Sequence, residues 1–159
     1  CKKIICKLYS TKLSLDSIFQ TCDFPSSKHI AQDPHFDRIP TLKFMLYVNT
    51  LTDENGAFCL SPGSHHWTKN LLGSNRKSHG AKGFLEESRQ IPQYIKDRLH
   101  PIAGRNGTLI IFDTDCIHHQ GIVFSESAHI LRAHYRSVSI LQKSRLAIKL
   151  IRQRNSTFR

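Results

Sequence analysis

The strongest constraint on the fold is the rhythm of short alternating segments cut by turn residues. Residues 41–49 (TLKFMLYVN) alternate in polarity and are rich in aromatic and β-branched types, the pattern of a strand with one buried face. Asp53-Glu54-Asn55-Gly56 follows and reads as a hairpin turn, because Asn-Gly supplies the positive φ angles of a tight reversal. Residues 57–60 then return as a strand that stops at Pro62-Gly63. Further strands are expected at 2–9, 28–37, 108–112 and 129–140, and residues 13–21 fit either a strand or a short helix. Pro92 suits the first turn of a helix within 84–99, with Ile91, Tyr94, Ile95 and Leu99 as its buried face. Residues 65–82 are rich in Ser, His, Lys and Gly and read as a loop with room for one helical turn. Many short strands around one helix point to an antiparallel barrel or sandwich, and periodicity alone does not separate a double-stranded β-helix from other sandwiches.

The 159 residues suit one domain. No apolar run approaches the ~20 residues of a membrane-spanning helix. The chain starts at Cys1 without a signal-peptide pattern, and is read as a fragment of a longer protein. Five Cys at positions 1, 6, 22, 59 and 116 contain no C-x-x-C pair, so they read as reduced thiols of a cytoplasmic protein. The formal charge of +11 raises a nucleic-acid reading. The charge is uneven, however. From Ser127 onward there are eight Lys or Arg and no Asp or Glu, which leaves only +3 for residues 1–126. Basic residues are not interleaved with aromatics as a nucleic-acid groove requires. The expected partner is a small molecule, not nucleic acid.

The histidines carry the chemistry. In Pro34-His35-Phe36-Asp37, residues i and i+2 of an extended segment project from one face, placing an imidazole beside a carboxylate. A third ligand is available just beyond a buried strand, in Asp113-Thr114-Asp115-Cys116-Ile117-His118-His119. Two imidazoles and one carboxylate make the facial triad of non-haem Fe(II), which leaves positions open for a co-substrate and O₂. H-x-D alone is a weak signal, since the plain alternative is a strand-end His beside a solvated Asp.

The context is more specific. PHFDRIPTLKFMLYVNTLTDENGAFCLSPGSHH (34–66) and GTLIIFDTDCIHHQG (107–121) together resemble the phytanoyl-CoA dioxygenase family of Fe(II)/2-oxoglutarate oxygenases. The likeness lies in the order H-x-D, an LKxxLY strand, an Asn-Gly turn, Pro-Gly-Ser-His, and a Gly-led strand ending in a distal His shortly before a Gly. It runs from Gln32 to Arg136. The resemblance implies a mainly β, double-stranded β-helix (jelly-roll, cupin-like) core over residues 1–140 with one or two helices, N-terminally truncated, followed by a basic tail over 141–159. It implies Fe(II), 2-oxoglutarate and O₂ as cofactors and co-substrates, with His35, Asp37 and His118 as metal ligands. His119 is the neighbour facing the other way. A competing register would set Gln32-Asp33 against the family's H-Q-D with Ala31 where the His belongs, and would leave the site short of a ligand. The family holds the far carboxylate of 2-oxoglutarate with an Arg about eleven residues after the distal His. Here that position falls at Ala128 or His129, so the chain departs from the pattern. Arg132 shares the strand parity of residue 128 and is the first choice of anchor. His129 and Arg136 are alternatives, and Lys43 is a weaker one. The implied reaction is hydroxylation of an unactivated C–H bond in a lipid-like, acyl or secondary-metabolite substrate. The retained Asp37 disfavours halogenation, for which related enzymes give up this carboxylate. Two rival readings are a non-catalytic or degenerate member of the same fold, motivated by the displaced Arg, and a nucleic-acid-binding or nucleic-acid-modifying protein. Trp67 reads as a packing residue, His65 as shaping the mouth of the site, and Asp113 or Asp115 as a turn acceptor that orients a ligand His.

Overall fold

The computed structural model describes residues 13–25, 32–37, 39–72 and 90–137. The strand expected at 2–9, the tail at 141–159 and the first part of the 84–99 helix lie outside the described residues. Among the described residues, seven strands and two helices follow in the order β1 (Leu13–Asp23), β2 (Leu42–Tyr47), β3 (Cys59–Leu60), α1 (His65–Leu72), α2 (Gln93–Lys96), β4 (His100–Pro101), β5 (Leu109–Asp113), β6 (His118–His119) and β7 (Ala128–Ser137). They form a four-stranded sheet in the order β1-β7-β2-β5 and a three-stranded sheet in the order β4-β3-β6, with antiparallel pairing in both. This is the mainly β, cupin-like architecture that the family resemblance implies. No helix among the described residues is long and apolar enough to cross a membrane.

Register decides which side chains meet inside. Met45 stands opposite Ile110 on β5 and Arg132 on β7, and Lys43 stands opposite Phe112 and His134. With a period of two, one face of the large sheet therefore carries Lys43, Met45, Tyr47, Ile110, Phe112, Ile130, Arg132 and His134. The apolar members of this face join Leu51, Phe58, Val123 and Ala128 in the main core. Burying each large side chain contributes about 1.5–3 kcal/mol. Tyr47 is fully buried and its hydroxyl ties the two layers together, donating to the carbonyl of Ile102 (2.9 Å) and accepting from the N–H of Phe58 (3.0 Å). Tyr47→Phe removes one hydroxyl and strands a buried N–H and a part-buried carbonyl. It is expected to destabilise the protein by about 2–3 kcal/mol, seen as a lower urea midpoint at unchanged m-value.

Four local expectations need correction. Asp53–Gly56 does not close a hairpin. β2 is already paired on both edges, by β5 and β7, so the returning chain crosses to the other sheet as β3. The turn itself forms: the Thr52 carbonyl accepts from the N–H groups of Asn55 and Ala57, and Gly56 alone takes a positive φ, +79°. Residues 32–37 are not a regular strand. Pro34 supplies no N–H, and the segment makes a single bridge, His35 to His118. Residues 65–72 form a two-turn helix where a loop was expected, because Thr68 and Leu72, four apart, both find buried positions under it. In the 84–99 region the described helix covers only Gln93–Lys96. Ile91 and Ile95 are buried as expected, but Tyr94 is 57% exposed.

Candidate metal centre

His35 and His118 are brought together by backbone pairing. Each donates its N–H to the other's carbonyl, at 2.9 and 2.8 Å, and the Asp37 N–H donates to the Thr114 carbonyl at 3.0 Å. These bonds fasten the irregular H-x-D segment to β6 and the end of β5. The i, i+2 spacing then turns His35 and Asp37 to one side, toward His118. The nearest potential ligand atoms of the three residues all lie within 4.8 Å of one another.

The imidazoles are oriented in the same way. His35 Nδ1 lies 2.7 Å from the Asp33 carbonyl oxygen and His118 Nδ1 lies 2.7 Å from that of Cys116. A carbonyl only accepts, so each Nδ1 carries a proton and each Nε2 is the ring nitrogen left facing the third residue. His118 is 3% exposed and packs against the rings of Phe58 and Phe112. Its Nε2 is buried with no hydrogen-bond partner and lies 3.5 Å from Asp37 Oδ1. A buried basic nitrogen without a hydrogen bond, beside a second imidazole and a carboxylate, is the donor set a divalent cation fits. The orienting groups are thus backbone carbonyls two residues before each His, rather than the Asp113 or Asp115 side chain expected for this task. Asp113 Oδ1 accepts from the Asp115 N–H within the turn (3.0 Å).

Electrostatics prepare the ligands. Burial lowers the His35 pKa to about 4, and the neighbouring His118 adds to the effect, so the ring is neutral at physiological pH. Burial pushes the Asp37 carboxyl up, but its contact with His118 and the charge of Lys43 outweigh this and hold it well below the usual carboxylate range. Lys43 Nζ lies 2.8 Å from Asp37 Oδ2 and only 13% of the Lys43 side chain is exposed. Lys43 was weighed above only as a carboxylate anchor. Strand parity, shared with Met45 and Tyr47, turns Lys43 inward, but no sequence pattern names Asp37 as its partner.

The other candidates fall elsewhere. Asp33 contributes its carbonyl to His35. His119 turns away from His118, its Nδ1 2.9 Å from the Gln120 carbonyl. His65 stacks on His66, with ring centroids 4.0 Å apart. Trp67 packs edge-on against Phe36. Gly121, the glycine after the distal His, sits where a Cβ would lie 2.2 Å from the Ala57 carbonyl oxygen, so close backbone approach explains it. Arg132 stands on the inner face of β7, its Nε donating to Thr21 Oγ1 at 3.1 Å and its Nη2 reaching Gln120 Oε1 at 3.5 Å. With Thr21, Asp23, Gln32 and Gln120 it lines a cavity of about 390 Å³. Thr21 and Gln120 had no signal in the sequence. His129 sits on the opposite face of β7, its Nε2 2.8 Å from Ser127 Oγ. Arg136 shares the face of Arg132 and meets Asp16 at 3.5 Å.

A family model, phytanoyl-CoA dioxygenase (PhyH), matches residues 14–127. The chain belongs to the phytanoyl-CoA dioxygenase family. Fe(II) and 2-oxoglutarate are the cofactors of that family. No curated protein matches the sequence. Among solved structures the chain is similar to EvdMO1, with a TM-score of 0.59 at 17% identity over 87% of this chain and 30% of that one. It is also similar to HygX from Streptomyces hygroscopicus with iron bound, with a TM-score of 0.53 at 14% identity over 87% of this chain and 65% of that one. HygX with nickel and 2-oxoglutarate bound gives 0.52 at 14% identity, covering 87% and 64%. The PhyH chain described here thus spans less than two thirds of the length of these structures. At such identities the likeness establishes the fold.

One consequence of the site's charge distribution concerns stability. Burial, with the field of Lys43, lowers the His134 pKa from 6.5 to about 4. Between these values the unfolded chain binds a proton that the fold does not, so stability is full above pH 6.5 and falls as pH drops toward 4. The metal-free protein is expected to lose about 1–2 kcal/mol from this residue between pH 7 and pH 4.5. Urea midpoints at the two pH values, with His134→Gln showing the shallower dependence, check this.

Proposed function

We propose that the chain acts as an Fe(II)/2-oxoglutarate-dependent dioxygenase that hydroxylates an unactivated C–H bond of a small molecule, lipid-like, acyl or secondary-metabolite in kind. The observation that carries this reading is the convergence of His35, Asp37 and His118, with both rings locked in the Nε2-presenting tautomer. His35 and His118 would hold Fe(II) through Nε2 and Asp37 through the oxygen not engaged by Lys43. Bound there, the metal with 2-oxoglutarate supplies the O₂ activation that C–H hydroxylation requires.

The protein's own contributions are orientation and exclusion of water. Lys43 restrains the carboxylate, and Phe58 and Phe112 wall the His118 side of the site. The cavity beside Arg132 takes the far carboxylate of 2-oxoglutarate. A guanidinium fork already steadied by Thr21 is pre-organised for bidentate pairing. Asp37 fills the position that a halide would need, which favours hydroxylation.

Anaerobic Fe(II) titration in the presence of 2-oxoglutarate tests the reading. A weak visible charge-transfer band, and succinate formation once O₂ is admitted, are expected. A folded protein that gives no band rules the reading out. Arg132→Leu is expected to raise the 2-oxoglutarate concentration for half-saturation of that band about 30- to 100-fold, the loss of a charge-assisted bidentate pair. An unchanged requirement moves the anchor elsewhere.

A further inference from the structure

The inner face of β7 continues beyond the co-substrate anchor. His134 and Arg136 follow Arg132 at two-residue steps, opposite Ser17 and Ser14 of β1, and His134 also stands opposite Lys43 of β2. His134 Nε2 and Arg136 Nε are buried and have no hydrogen-bond partner among the described residues. A buried polar atom left without a partner costs about 1–3 kcal/mol. Arg136 Nε is a donor, and His134 Nε2 is one in the tautomer that protonates it, so an acceptor can satisfy both, reached from the solvent side because the Arg136 side chain is 36% exposed. This end of the layer also opens outward. The Phe19 ring, 40% exposed, lies edge-on to His134 at 5.0 Å.

The charges there are unbalanced. Lys43, Arg132 and Arg136 all act on His134, against the single carboxylate of Asp37. Lys43 is committed to Asp37 at 2.8 Å. Among the described residues Arg136 pairs with Asp16, at 3.5 Å and 40% exposed, a contact of the kind worth little in solvent. Nor is this position a duplicate of the co-substrate pocket. The Arg132 side chain reaches Thr21, which stands opposite Ile130, so it leans away from His134. Arg132 and Arg136 are separated by about 13 Å along the strand.

From this geometry we infer that Arg136 and His134 form a second anion-binding position that receives an acidic group, carboxylate or phosphate, of the substrate. The inference rests on the oxygenase reading for what lies beside it, but the anion site is defined by this chain's own donors. Arg136 supplies the charge and a fork of N–H donors, His134 adds a neutral N–H donor, and the Lys43 and Arg132 charges set the local potential. Asp16 is the internal competitor that such a group displaces.

The test uses nickel-loaded protein saturated with 2-oxoglutarate, titrated calorimetrically with hexyl phosphate, hexanoate and, as the opposite charge, hexylammonium. Nickel and 2-oxoglutarate binding are measured first on the same sample, so failure of the oxygenase reading shows there. In that event the probes are titrated into the metal-free protein. One or both anionic probes are expected to bind without displacing 2-oxoglutarate. The stronger of the two identifies phosphate or carboxylate as the preferred group. Arg136→Gln is expected to weaken the preferred probe at least tenfold and Arg136→Lys less. Asp16→Asn, at an exposed position, should tighten it severalfold, an effect that a purely structural ion pair would not produce. Binding of hexylammonium alone, binding of no probe, displacement of 2-oxoglutarate by the anion, or unchanged affinity in both Arg136→Gln and Asp16→Asn would each overturn the inference.

Discussion

His118→Ala is expected to abolish measurable binding of Fe(II), Co(II) or Ni(II), with His35→Ala close behind. The argument is geometric. His118 Nε2 is a buried ring nitrogen 3.5 Å from Asp37 Oδ1, and its ring is clamped by Phe58, Phe112 and the Cys116 carbonyl. Among the described residues, the nearby histidines do not take its place: His119 on the same strand turns away, and His65 is held over His66. Removing one of the three proposed ligands leaves a two-point site, and a loss of at least 100-fold in affinity is a conservative expectation when second-sphere changes alone cost 10–100-fold. Calorimetric titration of Ni(II) checks it. The ring deletion also opens a cavity worth roughly 2–4 kcal/mol, so a His118→Gln variant, which keeps most of the volume, separates loss of ligation from loss of fold. Should Asp33→Ala destroy binding while His35→Ala spares it, the ligand set is misassigned.

Part of this site was legible in the sequence because it depends on short-range spacing. His35 and Asp37 share a face through i, i+2 spacing even though their segment proved to be a single bridge and not a strand. His118 lies just past the alternating Leu109–Asp113 strand. What local pattern did not carry is the choice of partner. The Asn55-Gly56 turn is correct as a turn, yet whether its flanking strands pair depends on β5 and β7 having already taken both edges of β2, and those strands lie more than fifty residues downstream. The same holds for Tyr94, which fits the 3,4 spacing but sits on a one-turn helix whose contact surface is only as wide as Ile91 and Ile95. Lys43 is the clearest case. Its inward parity was readable, and a charged residue at an inward strand position signals a buried partner. The identity of that partner required knowing that the H-x-D segment lies across from β2.

Lys43→Met is therefore the variant in which fold and site are most tightly coupled. Two cations compete to neutralise the Asp37 carboxylate: the Lys43 ammonium, 2.8 Å from Oδ2, and any metal approaching Oδ1 between the histidines. The metal-free protein retains the first. Deleting it leaves a largely buried carboxylate whose low pKa depended on that charge and on His118. Breaking a fully buried pair costs about 3–5 kcal/mol. Asp37 retains 23% exposure, so about 2–3 kcal/mol is expected here, seen as a lower denaturation midpoint of the metal-free variant. Methionine keeps the length and apolar stem, so the change isolates charge from packing. Because a divalent ion can then supply the missing positive charge, the rise in Tm on adding Ni(II) should be larger in Lys43→Met than in the unaltered protein. Lys43 also restrains the carboxylate so that one oxygen faces the metal position. The bound Co(II) of the variant should accordingly show an altered visible spectrum, as a freed carboxylate becomes able to bind through both oxygens. A metal-free stability equal to that of the unaltered protein, or a smaller metal-induced gain, would show that the pair is a bystander to the site.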